Sequence, residues 1–350
     1  MRIKSWAMMV SLLCLILLLG ACSGANTPNQ NASGGDQSAK TSPSQEQQAP
    51  AATSGSTSPE SAAFPRTIKD ANGDVTIEKQ PKKVAVVHWG YADSLLLFDV
   101  PSVALALPFT EKQSVLHSES YKPYVEKVQE LKIVGENTQV NMEALLDYGP
   151  DLIIAGNTVN KEILASLPQI AQTVVIDEQT TSVWADWQSV VTKFGEILGQ
   201  EETAKRYIAD YQAQLQSAKE KLTALDGTVA FVQVRDKAVW LQGTNYLKPY
   251  YEGMGLKPPT SANLDMQEGA QITLEGLSVL NPDYLFLGYF NYNDKTIPAL
   301  TDEWDDTAVW SKLKAVQNKH VYGINGELAL GYGPIGNMYG VKAVLEALGR

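Results

Sequence analysis

One plan is written twice in this chain. Residues 141–156 read NMEALLDYGPDLIIAG, and residues 273–288 read TLEGLSVLNPDYLFLG. In each copy a polar residue opens a short helical stretch, a Pro-Asp turn ends it, and a continuous apolar run follows. Helices favour polar caps and an acid in the first turn, and Glu143 and Glu275 hold that place in the two copies. A short apolar run without alternation marks a strand covered on both faces, as in a parallel sheet. A repeated helix–turn–strand unit in a chain of 350 residues calls for two α/β lobes.

Further apolar runs complete the lobes. Strands are predicted over 83–88, 103–107, 132–134 and 173–176 in the first, and over 228–234, 238–241, 284–287 and 320–324 in the second. Helical patterns lie between them, so each lobe is expected to hold a mostly parallel sheet flanked by helices. The longest helical signal falls between the lobes. Residues 184–198 are followed by Gly199, and 201–225 then run without Gly or Pro, with Leu215, Leu222 and Leu225 at helical spacing. At 1.5 Å per residue that helix spans on the order of 35 Å, which predicts a rigid spine.

The amino end reads MRIKSWAMMVSLLCLILLLGAC. Arg2 and Lys4 precede an apolar stretch shorter than the ~20 residues of a membrane span, so 1–21 reads as an export signal. Leu19-Gly20-Ala21-Cys22 resembles the bacterial lipoprotein lipobox, which implies a lipidated Cys22; the alternative is an ordinary signal with an incidental cysteine. Cys14 would leave with the signal. No other cysteine exists, so a mature chain has no thiol for a disulfide, a nucleophile or a metal site. Residues 22–63 then form a tether of small polar residues that cannot bury enough surface to order themselves. The expected organisation is a first lobe over 64–183, an inter-lobe helical segment over 184–225 and a second lobe over 226–350.

After Arg2 and Lys4, 26 basic residues face 39 acidic ones. The basic residues are scattered, and phosphate backbones need them clustered, so nucleic acid is excluded as a partner.

At this point the chain resembles the iron-siderophore and vitamin B12 class of solute-binding lipoproteins of ABC importers. The resemblance rests on FPRTIKD at 64–70, PKKVAVV at 81–87, VGENTQVNME at 134–143, PDLII at 150–154, GLKPP at 255–259 and WSKLKAVQNKHVY at 310–322. Their order and spacing carry it. It implies two lobes joined by one long helix, little hinge motion, and a ligand held in the shallow cleft between them. The implied cargo is an iron(III)–siderophore, and the implied state is a monomer without catalysis, held by its lipid on the outer face of a cell membrane, with a Gram-positive cell surface suggested by the tether. In that family one surface glutamate from each lobe contacts arginines of the membrane permease, and Glu143 and Glu275 match those positions. As plain helix-start acids they would merely complement the helix dipole. No cofactor is implied.

Ligands of open α/β sheets bind outside the carboxyl ends of the strands. Those ends here are His88, Trp89 and Tyr91; Gly156, Asn157 and Thr158; Gln233 and Arg235; Tyr289 to Tyr292; and Asn325, Gly326 and Glu327. Arg235 is one of few arginines, and a guanidinium makes bidentate contacts to ligand oxygens. Siderophore binders often carry an arginine where Gln233 stands; Arg235 lies two residues on, and strand alternation puts it on the same face. Its alternative is an exposed loop arginine paired with Asp236. His88, Trp89 and Tyr91 suit hydrogen bonding and stacking on a ligand, an axial haem contact, or packing at the top of the first lobe. Tyr246, with Tyr250 and Tyr251, forms a further aromatic group, and Trp240 reads equally as core or cleft. Haem or a corrinoid is the related alternative cargo. With His88, His117 and His320 the only histidines, a bare metal ion lacks ligands, and no motif of a hydrolase is present. Residues 331–336 read GYGPIG, a literal G-x-G-x-x-G, but a dinucleotide fingerprint opens a βαβ unit. Here it is expected to open the last helix, with Pro334 in its first turn.

Overall fold

The computed structural model describes residues 64–262 and 264–349. The signal, Cys22 and the tether expected over 1–63 lie outside them. The described chain opens on an antiparallel hairpin, β1 (Arg66–Asp70) and β2 (Gly73–Ile77). This hairpin is not among the strands expected from the sequence. Asp70 Oδ2 accepts the N–H of Val175 and fixes the hairpin to the edge of the first sheet.

That sheet holds β3 (Lys83–Val86), β4 (Ser102–Ala106), β5 (Glu130–Glu136), β6 (Gln139–Val140), β7 (Leu152–Gly156) and β8 (Gln172–Ile176), in the order β6-β5-β4-β3-β7-β8. Every pairing is parallel except β5 with the short β6. Helices α1 (Ala92–Leu96), α2 (Lys122–Val125) and α3 (Met142–Tyr148) belong to this lobe.

Between the sheets run α4 (Trp187–Leu198) and α5 (Glu201–Leu222), separated by Gly199, whose φ of 68° closes α4 in a left-handed cap. The second lobe contains β9 (Val229–Val234), β10 (Val239–Gln242), β11 (Gly269–Gln271), α6 (Leu274–Leu280), β12 (Tyr284–Tyr289), α7 (Lys314–Gln317), β13 (Val321–Asn325), α8 (Gly326–Ala329) and α9 (Pro334–Ala347). Its sheet, in the order β11-β10-β9-β12-β13, is mixed rather than mostly parallel: β9, β12 and β13 pair in parallel, while β10 runs antiparallel to both of its neighbours, β9 and β11. The cause is chain length. Only residues 235–238 connect β9 to β10, which suffices for a hairpin, whereas a parallel crossover needs a dozen or more residues.

The repeated plan proves to be one structural device used twice. Asn141 Oδ1 caps α3 by accepting from the N–H of Ala144, and Thr273 Oγ1 caps α6 by accepting from Gly276. Each helix ends in a left-handed residue, Gly149 at φ 61° and Asn281 at φ 43°. The Pro-Asp turn then fastens the first strand of its lobe. Asp151 Oδ2 accepts the N–H groups of Lys82 and Lys83 ahead of β3. Asp283 Oδ2 accepts the N–H and hydroxyl of Thr228 ahead of β9.

Alternate residues of each sheet go to different cores. Val84, Val86, Leu105 and Ile154 face α4 and α5, whereas Ala85, Val87, Ala104 and Ile153 face α3. In the second lobe Phe231 and Phe286 stack at 4.9 Å on the α5 and α9 side, and Val232, Leu285 and Leu287 face α6. One continuous buried cluster therefore runs from the first sheet through Val190, Phe194, Tyr211 and Leu215 of the spine into the second sheet. Close-packed interiors resist deformation, so the shared core makes the pair of lobes stiff.

Candidate functional site

The carboxyl ends of β3 and β4 face those of β9, β12 and β13 across a cleft. Two adjoining cavities occupy it, an inner one of about 320 Å³ and an outer one of about 630 Å³. They share Phe109, Ser114, Arg235, Phe290 and Glu327. Small-molecule sites fall in this size range and are lined by aromatic side chains with a few placed polar groups. Of the strand-end and aromatic residues singled out in the sequence, Trp89, Gln233 and Tyr246 line the inner cavity, Asn291, Tyr292 and Asn325 the outer one, and Arg235, Phe290 and Glu327 both, whereas Gly156, Asn157 and Thr158 line neither.

Arg235 sits at the turn of the β9–β10 hairpin, where its N–H bonds the carbonyl of Ala238. Its guanidinium lies over the Phe290 ring, 4.3 Å from the centroid. The ring face supports the cation, and among the described residues its N–H groups make no salt bridge or hydrogen bond, which leaves them free for an acceptor. Asp236 pairs with Lys237 at 3.9 Å rather than with Arg235. Glu327, half-buried at the start of α8, is pushed up to about 7 by desolvation, with the Arg235 charge pulling the other way. Tyr246, 39% exposed, donates its hydroxyl to the carbonyl of Leu330 and presents its ring to the cleft.

His88, Tyr91 and Tyr289 line neither cavity, and the reading of them as cleft residues is corrected. His88 and Tyr91 are fully buried and stack at 3.7 Å. His88 Nδ1 accepts the N–H of Gly90, so the ring proton sits on Nε2 and is donated to Glu178 at 3.1 Å. Glu178 also accepts the N–H groups of Thr158 and Val159. Burial opposes its charge, but the His88 and backbone hydrogen bonds together prevail and hold it below the usual carboxylate range. With both nitrogens engaged, His88 is a brace between the β3, β7 and β8 ends and has no lone pair for a haem iron. Tyr289 follows strand alternation onto the α6 side, where Thr301 donates to its hydroxyl and Lys295 lies over its ring. Tyr250 and Tyr251 are core residues bonded to the carbonyls of Ala329 and Val229. Trp240 is half-exposed but lines neither cavity.

Other cleft residues were not foreseen. Leu107, Pro108, Phe109 and Ser114 come from the segment after β4; applying the carboxyl-end rule to that strand as well would have found them. Trp89 meets Trp184 at 4.8 Å and Tyr332 at 5.8 Å, an aromatic seam drawn from the first lobe, the approach to α4 and the second lobe. Asp93 of α1 receives the Tyr121 hydroxyl and the N–H groups of Ile335 and Gly336 at the start of α9. Gly333, which precedes that helix, lies so close that an added Cβ would collide with Asp93 Oδ2. The glycine-rich 331–336 thus opens the last helix as expected, and the anion at its amino end is the protein's own carboxylate.

Glu143 and Glu275 stand exposed in the first turns of α3 and α6, and neither makes a salt bridge among the described residues. Also among the described residues, no three His, Cys, Asp or Glu side chains converge to hold a metal ion.

Comparison with known proteins agrees with this architecture. The chain is 30% identical to the ferric enterobactin-binding periplasmic protein FepB of Escherichia coli, over 78% of this chain and 88% of that one. It is 27% identical to the iron(3+)-hydroxamate-binding protein YxeB of Bacillus subtilis, over 81% and 85%. The crystal structure of the petrobactin-binding protein YclQ of Bacillus subtilis superposes with a TM-score of 0.64 at 22% identity, covering 81% of this chain and 99% of that one, which shows a shared fold. These relatives are binding proteins rather than enzymes. A model of the periplasmic binding protein family matches residues 84–328, and the chain belongs to that family.

Proposed function

We propose that this protein is the extracytoplasmic solute-binding component of an ABC importer and captures an iron(III)–siderophore in the cleft between its lobes. The observation that carries the reading is the cleft itself: Arg235 lies over the Phe290 ring in an aromatic-lined cavity that Gln233 also lines. That combination suits a cargo with an apolar frame and a cluster of ligating oxygens. The cargoes for which the relatives are named, ferric hydroxamate and ferric enterobactin, are of this kind. In this reading 64–183 and 226–350 are the lobes, 184–225 is the spine, and Cys22 carries the lipid that holds the chain at the outer face of the membrane. Relatives that are lipoproteins support the anchor.

Fluorescence quenching tests the capture. Six of the seven tryptophans follow the signal, and Trp89 and Trp184 stand at the cleft seam. Saturable quenching by a ferric siderophore, with none by haem or cobalamin, is the expected result; binding of haem alone would assign the cleft to another cargo. Arg235→Ala is expected to weaken the siderophore by about 1.5–3 kcal/mol, as for a charged hydrogen bond. An affinity unchanged within error would take Arg235 out of the site.

Delivery to the permease uses Glu143 and Glu275, one exposed acid from each lobe. The double substitution Glu143→Ala with Glu275→Ala is expected to leave siderophore affinity intact and to stop uptake by cells. Normal uptake would reduce both acids to helix-start residues.

A further inference from the structure

The outer faces of α3 and α6 carry more than the two glutamates. Leu146 on α3 and Val279 on α6 are 59% and 76% exposed, and no other large apolar side chain among the described residues exceeds 41%. A single exposed leucine or valine on a surface is ordinary. Here the two most exposed fall on the two copies of the repeated helix. Each also shares a helix face with the acid. Glu143 and Leu146 are three residues apart, Glu275 and Val279 four, and both spacings make side chains neighbours on a helix surface.

The fold itself has no use for these two side chains. The inner faces of the helices are already filled, by Leu145 and Tyr148 on α3 and by Leu274, Leu277 and Leu280 on α6, each buried in the core of its own lobe. Valine is also a poor choice for an exposed helix position, where its branched Cβ loses rotamer freedom. The two copies reach the same surface by different positions: within the repeat Leu146 matches Ser278, and Val279 matches Asp147. What recurs is an acid with an apolar neighbour one turn on. Both helices start at the cleft end of their lobes. The N–H of Asn141, ahead of α3, bonds Val134 near the carboxyl end of β5, and the N–H of Ile272, ahead of α6, bonds Val239 beside the carboxyl end of β9. A partner resting on both helices therefore spans the cleft, while neither Leu146 nor Val279 lines it.

The charges select the occupant. Glu143 and Glu275 have no salt-bridge partner among the described residues. An anionic lipid surface would repel both acids. A second copy of this chain, on whichever helix it docked, would set acid against acid. A protein that offers a cation beside an apolar recess, at two places, meets both patches. We propose that Leu146 and Val279 are the apolar contacts of the permease-docking surface, each buried by the membrane permease next to the cation that meets Glu143 or Glu275. This rests on the docking role given to the two acids. The acids then guide and orient the encounter, and the leucine and valine supply the area that water leaves.

The test uses the full chain in cells that hold each variant as their only copy. Labelled iron is presented as ferrioxamine B, ferric enterobactin or ferric citrate, whichever quenches the purified parent. Leu146→Ser with Val279→Ser is expected to lower uptake at least about tenfold, with cargo quenching and urea unfolding matching the parent. Leu146→Met with Val279→Ile is expected to keep uptake. Parental uptake by the serine pair would overturn the proposal. If Glu143→Ala with Glu275→Ala still stopped uptake in those cells, the docking role of the acids would stand; if it did not, both would fall. A photoreactive benzoylphenylalanine placed at 146 or at 279 is expected to join the chain to the permease. Joining to lipid alone, or to a second copy of the chain, would overturn the proposal in favour of that surface.

Discussion

His88→Ala is expected to lower the unfolding free energy by about 3–4 kcal/mol and to leave ligand affinity of the folded protein within about twofold. That magnitude follows from what the imidazole touches. Its stack on Tyr91 at 3.7 Å contributes roughly 0.5–1.5 kcal/mol. Its bond to the Glu178 carboxylate is of the charge-assisted kind, worth about 1.5–3 kcal/mol, and the Gly90 N–H would be left unpaired in the core. A cavity would open between Gly90 and Gly156, whose added Cβ atoms would stand 2.9 and 2.5 Å from the ring, and unfilled cavities carry a further cost. The opposite pattern, normal urea unfolding with lost affinity, would return His88 to the cleft.

The sequence suggested a cleft role for His88 for a physical reason. The carboxyl-end rule names the segment after a strand, but which of its side chains face outward is decided by the backbone. After β3 the chain enters a single turn over residues 89–91, which points Trp89 to the seam and folds His88 and Tyr91 inward. The same limit applies to Tyr289. It is still in β12, so the period of two sends it to the α6 side while Phe290 faces the cleft. Patterns that rest on local chain chemistry were legible: the paired helix–Pro-Asp–strand units, the spine, and Pro334 opening the last helix. What depended on long-range partners was not. Nothing near residue 93 says that its carboxylate will meet a helix more than two hundred residues away, and nothing in 66–77 announces a hairpin that is anchored through Asp70 to Val175. The reversal of β10 was readable in principle from the short connection between Val234 and Val239, had connection length been weighed against alternation.

Asp93 yields the other large effect, and its sign runs against intuition. The first four N–H groups of a helix lack intrahelical partners. Gly333, before α9, has no side chain to supply one, and Asp93 serves in its stead from the other lobe. A carboxylate at a helix amino end is normally favoured. Here burial outweighs the Tyr121, Gly336 and Ile335 hydrogen bonds and raises the group from 3.8 to about 6. No cation pairs with it among the described residues; Tyr121, Tyr124, Tyr332 and Tyr207 are the titratable groups around it. A group whose folded value is raised stabilises the fold while protonated. That contribution is fully present below about pH 4, declines as pH rises through about 6, and is gone at neutrality. A rise of this size corresponds to on the order of 3 kcal/mol. Asp93→Asn keeps the shape and an oxygen acceptor for the helix end but never ionises. Measured by urea unfolding across pH, the variant should match the parent near pH 4 and exceed its stability by about 2–3 kcal/mol at pH 7.5. Groups elsewhere titrate too, with Asp283 and Glu178 held low, but they are common to both proteins and cancel in the difference. A difference that is flat with pH and favours the parent would mean that the charged cap, rather than its burial, sets the energy of the seam between the lobes.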